Sequence, residues 1–276
     1  MQLIYFPDGT SVPALGQGTW QLGEDPTQRA DELAALQAGL DLGLTLLDTA
    51  EMYADGGAER LVGEAIRGRR AQVFLVSKAY PQNTSRQQLP RTCEASLQRL
   101  GTDYLDLYLL HWRGRVPLAE TVAAMEGLVA AGKIRRWGVS NLDTADMAEL
   151  LAAGGGACAT DQVLYNLTRR GPEHDLLPWL AARQMPAMAY SPVEQGRLLT
   201  SRSLQYVAAR LGVTPAQVAL AWVLHRGQVL TIPKAGRVAH VRENRAAADL
   251  SLSPTDLAEL DAAFPRPGQR QPLAML

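Results

Sequence analysis

The chain has 276 residues, a formal charge of −1 at neutral pH, 47% hydrophobic residues and 20% charged residues. That is one domain's length, and a closed eight-stranded α/β barrel of about 250 residues fits with little to spare. Acidic and basic residues are interspersed and no apolar run reaches the roughly 18–20 residues of a membrane span, which argues against nucleic-acid or membrane partners.

The opening segments Gln2–Phe6 and Ser11–Pro13, around Pro7-Asp8-Gly9, predict a small hairpin. A strand at Ala14–Gly18 and a helix from about Thr27 to Leu42 follow. Further strands are expected at Thr45–Thr49, Val73–Ser77, Leu105–His111, Ile134–Ser140, Thr160–Leu164, Ala187–Tyr190 and Val229–Ile232, eight in all. Helical stretches alternate with them: Glu59–Arg67, Ser85–Leu100, Leu118–Ala131, Thr144–Ala153, Asp175–Gln184 and a longer region from Leu204 to Arg226. The strands are continuous apolar runs, as in Leu105-Asp106-Leu107-Tyr108-Leu109-Leu110, the pattern of strands covered on both faces. Ser85 stands at capping-box spacing from Gln88, and Thr214-Pro215 and Ser253-Pro254 each read as a helix start. Strict alternation with eight strands predicts a single (β/α)8 TIM barrel over residues 1–276, with an N-terminal hairpin and a short C-terminal tail. A doubly wound sheet is the rival. Gly154-Gly155-Gly156 reads as a loop, not a linker. Cys93 and Cys158 belong to no CxxC pattern, and Met1–Val12 has neither a basic nor an apolar leader region. Structural thiols in a cytoplasmic chain are the expectation.

Three apolar runs end in ionisable residues. Asp48 closes Leu44-Thr45-Leu46-Leu47, Lys78 closes Val73-Phe74-Leu75-Val76-Ser77, and His111 closes Leu105–Leu110. In a parallel barrel those ends ring one basin, where barrel enzymes place their chemistry. Any one of them alone reads as a strand leaving for solvent; three in succession read as a site. A buried Asp and Lys would offset one another's burial. Tyr53, in the loop Glu51-Met52-Tyr53-Ala54-Asp55, can fold back beside Lys78, whose charge would lower its pKa and suit it to proton donation.

Asp48, Tyr53, Lys78 and His111 resemble, in order and spacing, the catalytic tetrad of the aldo-keto reductases. Leu15-Gly16-Gln17-Gly18-Thr19-Trp20 is similar to that family's first strand, and Asp48-Thr49-Ala50 with Tyr53 to its second. Gly138-Val139-Ser140-Asn141, Gln162 and Tyr190-Ser191-Pro192 resemble its cofactor-binding segments, and Ile232-Pro233-Lys234 with Glu243-Asn244 its adenosine-phosphate segment. Within the family, the stretch Asp48–Glu59 and the short tail after Phe264 are most similar to small bacterial reductases of the methylglyoxal type.

The resemblance implies NADPH-dependent reduction of small carbonyl substrates. Tyr53 would give the proton, Lys78 tune it, Asp48 hold Lys78, and His111 orient the carbonyl. Ser140, Asn141 and Gln162 would hold the nicotinamide carboxamide and Tyr190 its ring, with Gly18, Thr19, Trp20 and Ser191 nearby. Trp20 and Trp112 would wall the substrate pocket beside Tyr53 and His111. Lys234, Arg237, His240, Glu243 and Asn244 would meet the adenosine phosphate. Ala235 and His240 depart from the family's common hydroxyl residue and arginine, so Arg237 or Arg242 are substitutes and NAD(H) use stays open. The segment Gly16–Gln21 is not a GxGxxG fingerprint, because Gln21 stands at the third glycine. A metal-dependent barrel hydrolase is the rival from another enzyme class, set against four histidines, and no metal is expected. A cofactor-binding redox sensor is the non-catalytic rival. The short tail predicts an open pocket with broad tolerance, and a monomer is the default.

Overall fold

The computed structural model describes residues 1–276. The hairpin forms from β1 (Leu3–Tyr5) and β2 (Ser11–Pro13), and the Asp8 carboxylate accepts the Thr10 N–H at its turn. Strands and helices then alternate. β3 (Gln17–Gly18) leads to α1 (Arg29–Asp41), β4 (Leu46–Asp48) to α2 (Gly57–Ala65), and β5 (Phe74–Ala79) to α3 (Gln88–Leu100). β6 (Leu107–Leu110) leads to α4 (Leu118–Ala130), β7 (Trp137–Ser140) to α5 (Thr144–Ala152), and β8 (Asp161–Leu164) to α6 (Leu176–Ala181). β9 (Ala187–Tyr190) is followed by α7 (Arg202–Leu211) and α8 (Pro215–Leu224), and β10 (Val229–Thr231) by α9 (Val238–Ala247) and α10 (Pro254–Ala263).

Eight parallel strands run in order from β3 to β10, as the alternation predicts. The sheet closes on itself. Leu15 bridges Thr231 and Gly18 bridges Lys234, with Gly16 N–H donating to the Thr231 carbonyl at 2.8 Å and Gly18 N–H to that of Pro233 at 3.1 Å. This seam has no room for side chains. A Cβ on Gly18 would lie 2.5 Å from the Ile232 carbonyl oxygen, and one on Gly16 2.8 Å from that of Leu46.

Period-two alternation sorts the apolar residues into two shells. Leu46, Phe74, Val76, Leu107, Leu109, Met188 and Leu230 point inward, where Ile4, Phe6 and Val12 of the hairpin join them. Their neighbours Leu47, Leu75, Tyr108, Leu110, Val139 and Val163 point outward into the larger shell shared with the helices.

Most strands are shorter than their apolar runs, because laddered pairing stops before the run does; beyond it Leu105 and Ile134 meet only through an isolated bridge. β5 is the exception and continues through Lys78 to Ala79. The region Leu204–Arg226 is two helices bent by 91°, not one. Gly212, at φ 66°, ends α7, and Thr214 then caps α8 in a capping box with Gln217. Ser253 caps α10 in the same way with Asp256. Ser85 forms half of the expected box: its Oγ accepts the Gln88 N–H at 3.2 Å, one turn before α3 begins. Both cysteines are free and buried, and no single helix is long and apolar enough to cross a membrane.

Gly18→Ala should force the seam apart at the Ile232 carbonyl. We expect a loss of about 1–3 kcal/mol, as for other overpacked sites, read as a lowered urea midpoint with an unchanged slope.

Candidate active site

The alternation that fills the barrel also builds the site above it. On β4 the inward series is Leu46 then Asp48; on β5 it is Phe74, Val76, then Lys78; past β6 it is Leu107, Leu109, then His111. Apolar residues fill the lower layers and the last inward position on each strand turns polar. The same step brings Ser140, Gln162 and Tyr190 in from β7, β8 and β9.

Lys78 and Asp48 meet in an ion pair of 2.7 Å, their side chains 0% and 3% exposed. Lys78 Nζ also donates to the Thr49 carbonyl at 2.9 Å and to the Tyr53 hydroxyl at 3.3 Å. The other Asp48 oxygen accepts from Gln162 Nε2 at 2.8 Å. Burial pulls the Lys78 pKa down, but the Asp48 carboxylate and the Tyr53 hydroxyl outweigh it and hold the ammonium charged. Burial acts oppositely on Asp48 and drives its carboxyl up, against Lys78 and Gln162. With all these contacts satisfied, the charged pair is the form the geometry favours.

Tyr53 comes from a short helical turn, Tyr53–Gly56, between β4 and α2. Lys78 lowers its pKa as anticipated, yet the net direction is upward. Burial is the largest cause and the Asp48 charge adds to it, which corrects the expectation of a lowered tyrosine. His111 packs edge-on to Tyr53 with ring centroids 5.9 Å apart. Burial and the nearby Lys78 charge push its pKa down to about 2, so the imidazole is neutral.

A chain of hydrogen bonds runs round the rim. Tyr190 Oη donates to Asn141 Oδ1 at 2.9 Å, Asn141 Nδ2 to Ser140 Oγ at 3.0 Å, and Ser140 Oγ to the Gln162 carbonyl at 2.8 Å. Asn141 also donates to the His111 carbonyl at 3.1 Å and holds φ at 61°. Thr19 Oγ1 donates to the Asp48 carbonyl at 2.9 Å.

These groups enclose a pocket of about 310 Å³. Of the candidate residues, Gly18, Thr19, Trp20, Asp48, Tyr53, His111, Trp112, Ser140, Asn141, Gln162, Tyr190, Ser191 and Lys234 line it. Lys78 lies beneath. Arg237, His240, Glu243 and Asn244 do not line it; they sit at or on α9, where Glu243 accepts from Thr214 Oγ1. No three His, Cys or carboxylate side chains lie together as a metal site would require.

The sequence missed Gln21, Met52, the turn residues Val193, Gln195 and Gly196 that follow Tyr190-Ser191-Pro192, and Met275–Leu276. Ser191, Glu194 and Gln195 take positive φ in that turn, and only Gly196 signals it in the sequence. The short tail, expected to leave the pocket open, contributes residues 275 and 276 to its wall.

The profile of the Aldo/keto reductase family matches residues 14–264, and the chain belongs to that family. It is 57% identical to the methylglyoxal reductase YeaE of Escherichia coli K12, over 100% of this chain and 99% of that protein. It is 32% identical to the glyoxal reductase of Bacillus subtilis 168, over 92% and 90%. A solved aldo/keto reductase of Klebsiella pneumoniae, in complex with NADP and acetate, superposes with a TM-score of 0.97 at 54% identity, covering 99% of each chain.

The neutral His111 has a measurable consequence for stability. The unfolded chain takes up a proton near pH 6.5, whereas the folded chain holds none until about 2. His111 therefore withdraws stability as pH falls below about 6.5, by at most about 1.4 kcal/mol per pH unit. His111→Asn should flatten the decline in unfolding free energy between about pH 6 and 4.5; an unchanged slope would show that His111 stays solvated.

Proposed function

We propose that this chain reduces small, reactive aldehydes and dicarbonyls to alcohols, with NADPH as the reductant. The observation that carries the reading is the Tyr53 hydroxyl, 3.3 Å from a buried and paired Lys78 and edge-on to a neutral His111. The similarity to methylglyoxal and glyoxal reductases supports the substrate class, and the NADP complex of the Klebsiella relative supports the cofactor. The pocket fits a nicotinamide: it offers amide and hydroxyl groups of Ser140, Asn141 and Gln162 beside the Tyr190 ring.

NADPH, when bound, supplies a hydride to the carbonyl carbon. Ser140, Asn141 and Gln162 would hold the carboxamide and Tyr190 the ring, which would present one face of it to substrate. Gly18, Thr19 and Ser191, which line the same pocket, would bound the cofactor. Trp20 and Trp112 give apolar walls to the substrate side. His111, neutral, donates a hydrogen bond that orients the carbonyl oxygen. As negative charge grows there, Tyr53 releases its proton to it, and Lys78, held by Asp48, stabilises the tyrosinate left behind. Lys234 would read the 2′-phosphate at the rim, with Arg237 and His240 at the start of α9, a helix N-terminus suited to an anion, and Glu243 and Asn244 farther along that helix. We further assign residues 1–276 to one domain and to a cytoplasmic monomer; the single closed barrel supports the first and the buried free thiols the compartment.

Tyr53→Phe should leave NADPH affinity nearly unchanged and lower kcat by at least ~10²-fold. Near-normal turnover would sink the proton-donor role. Lys234→Ala should weaken NADPH about tenfold to a hundredfold, the worth of one charge-assisted contact, and leave NADH nearly untouched. Fluorescence titration with both cofactors checks this, and equal losses would mean that Lys234 only supports its loop.

A further inference from the structure

Glu51 stands two residues before Tyr53 and is not part of the pocket lining. One oxygen of its carboxylate accepts the Tyr80 N–H at 2.6 Å and Asn83 Nδ2 at 3.0 Å. Its own N–H donates to the Lys78 carbonyl at 3.3 Å. The loop that carries Tyr53 is thus laced to the first residues past β5, where the short helical turn Pro81–Asn83 begins. Burial pushes the Glu51 carboxyl up, while the Tyr80 N–H and the Asn83 amide pull it down. A carboxylate brought this far out of water is costly unless such donors hold it, and it fixes them in return.

What those donors carry is the backing of Trp112. The Tyr80 ring meets the Trp112 indole edge-on, with centroids 5.8 Å apart and planes at 87°. The His111 ring lies 4.9 Å from the same indole. Gly114, two residues past Trp112, sits on the same turn, where a Cβ would lie 2.5 Å from the Pro81 Cβ. Thr84 holds the far end of that turn. Its Oγ1 donates to the Pro81 carbonyl at 2.8 Å and accepts from Thr121 Oγ1 of α4 at 3.1 Å. The main chain beside Trp112 has its own ties: His111 N–H donates to the Ala79 carbonyl at 3.0 Å, and Arg113 pairs with Asp146 and Glu149 on α5. The indole is left to its aromatic contacts, which are directional but individually modest. It keeps its angle only while Tyr80 keeps its own.

We infer that Glu51 is a positioning residue for substrate, which clamps Tyr80 and Asn83 and thereby holds the Trp112 indole at its angle in the pocket wall. This rests on the reductase reading above. Glu51 acts through Tyr80 and takes no part in the proton transfer. Because the same loop bears Tyr53, one carboxylate sets the spacing between the proton donor and the apolar wall. A slack wall weakens the binding of the aldehyde's apolar end and leaves the reacting atoms as they were, so its loss falls on KM.

The test uses the full chain with NADPH and benzaldehyde, whose ring would lie against Trp112. Glu51→Ala should raise KM for benzaldehyde about fivefold or more, with kcat within about threefold and NADPH affinity within about twofold of wild type. Tyr80→Ala should do the same. Glu51→Gln, which keeps an accepting oxygen, should return KM to within about twofold of wild type. In a Trp112→Ala background, Glu51→Ala should change KM no further. Fluorine NMR of protein labelled with 5-fluorotryptophan reads the ring itself. The Trp112 signal, assigned through Trp112→Phe, should shift and broaden in Glu51→Ala while those of Trp137 and Trp222 stay in place. An unmoved Trp112 signal, a loss that falls on kcat alone, or an undiminished KM effect in the Trp112→Ala background overturns the clamp. Should Glu51→Ala fail to fold, Asn83→Asp, which sets a second carboxylate against Glu51, takes its place with the same expectations. A wild-type chain that reduces no carbonyl defeats the reductase reading instead, and the fluorine spectrum still decides the clamp.

Discussion

The site depends on burying a lysine. Lys78 is 0% exposed, and an ammonium taken out of water without partners would shed its proton or unfold its surroundings. Asp48 prevents this from the neighbouring strand, while the Thr49 carbonyl and the Tyr53 hydroxyl occupy the remaining donors. Each partner is itself held. Gln162 reaches across the barrel to Asp48, and Thr19 closes on the Asp48 carbonyl from the strand on its other side. Removing one member would leave a buried charge uncompensated, so these residues stand or fall together.

Such a pair requires a rigid frame, and the barrel supplies one. The register sets Leu46 opposite Phe74 and Asp48 opposite Val76 between β4 and β5, and Lys78 opposite Leu109 between β5 and β6. Inward positions advance in steps of two, so a register slip of one residue would turn the whole polar ring into the helix shell. The apolar layers below therefore fix the polar layer above. Asp161 shows the cost of the other face. One residue before Gln162 on β8, it is fully buried with neither carboxyl oxygen partnered, and burial pushes its pKa well up.

This layering is why so much was legible in the sequence. A polar residue closing an apolar run marks both the strand's end and its inward face, so Asp48, Lys78 and His111 could be placed together before any coordinates. The resemblance then named Ser140, Asn141, Gln162 and Tyr190, which do converge on one pocket. What escaped has no such periodic signal. The turn Val193–Gly196 is shaped by left-handed backbone at Glu194 and Gln195, where side-chain identity gives little warning. The return of the tail depends on ion pairs between Arg270 and carboxylates 95 and 127 residues away. The direction of the Tyr53 shift escaped for another reason: spacing reveals a neighbouring charge but not the burial that opposes it.

That direction bears on how the proposed proton transfer would be controlled. A tyrosine with a strongly lowered pKa would ionise in the resting enzyme near neutral pH and have no proton to give. Here burial and the Asp48 carboxylate keep Tyr53 protonated, while Lys78 stands ready with a charge that chiefly benefits the tyrosinate. The acid is therefore held in reserve. In the proposed reaction its proton would leave when negative charge develops on an oxygen within its reach, because only then would the gain at Lys78 coincide with a base to receive it. His111 fits the same logic. As a neutral imidazole it adds a hydrogen-bond donor without a second positive charge beside Lys78, which would drive Tyr53 toward premature ionisation. Burial that looks unfavourable for each group alone thus sets the protonation states that carbonyl reduction requires.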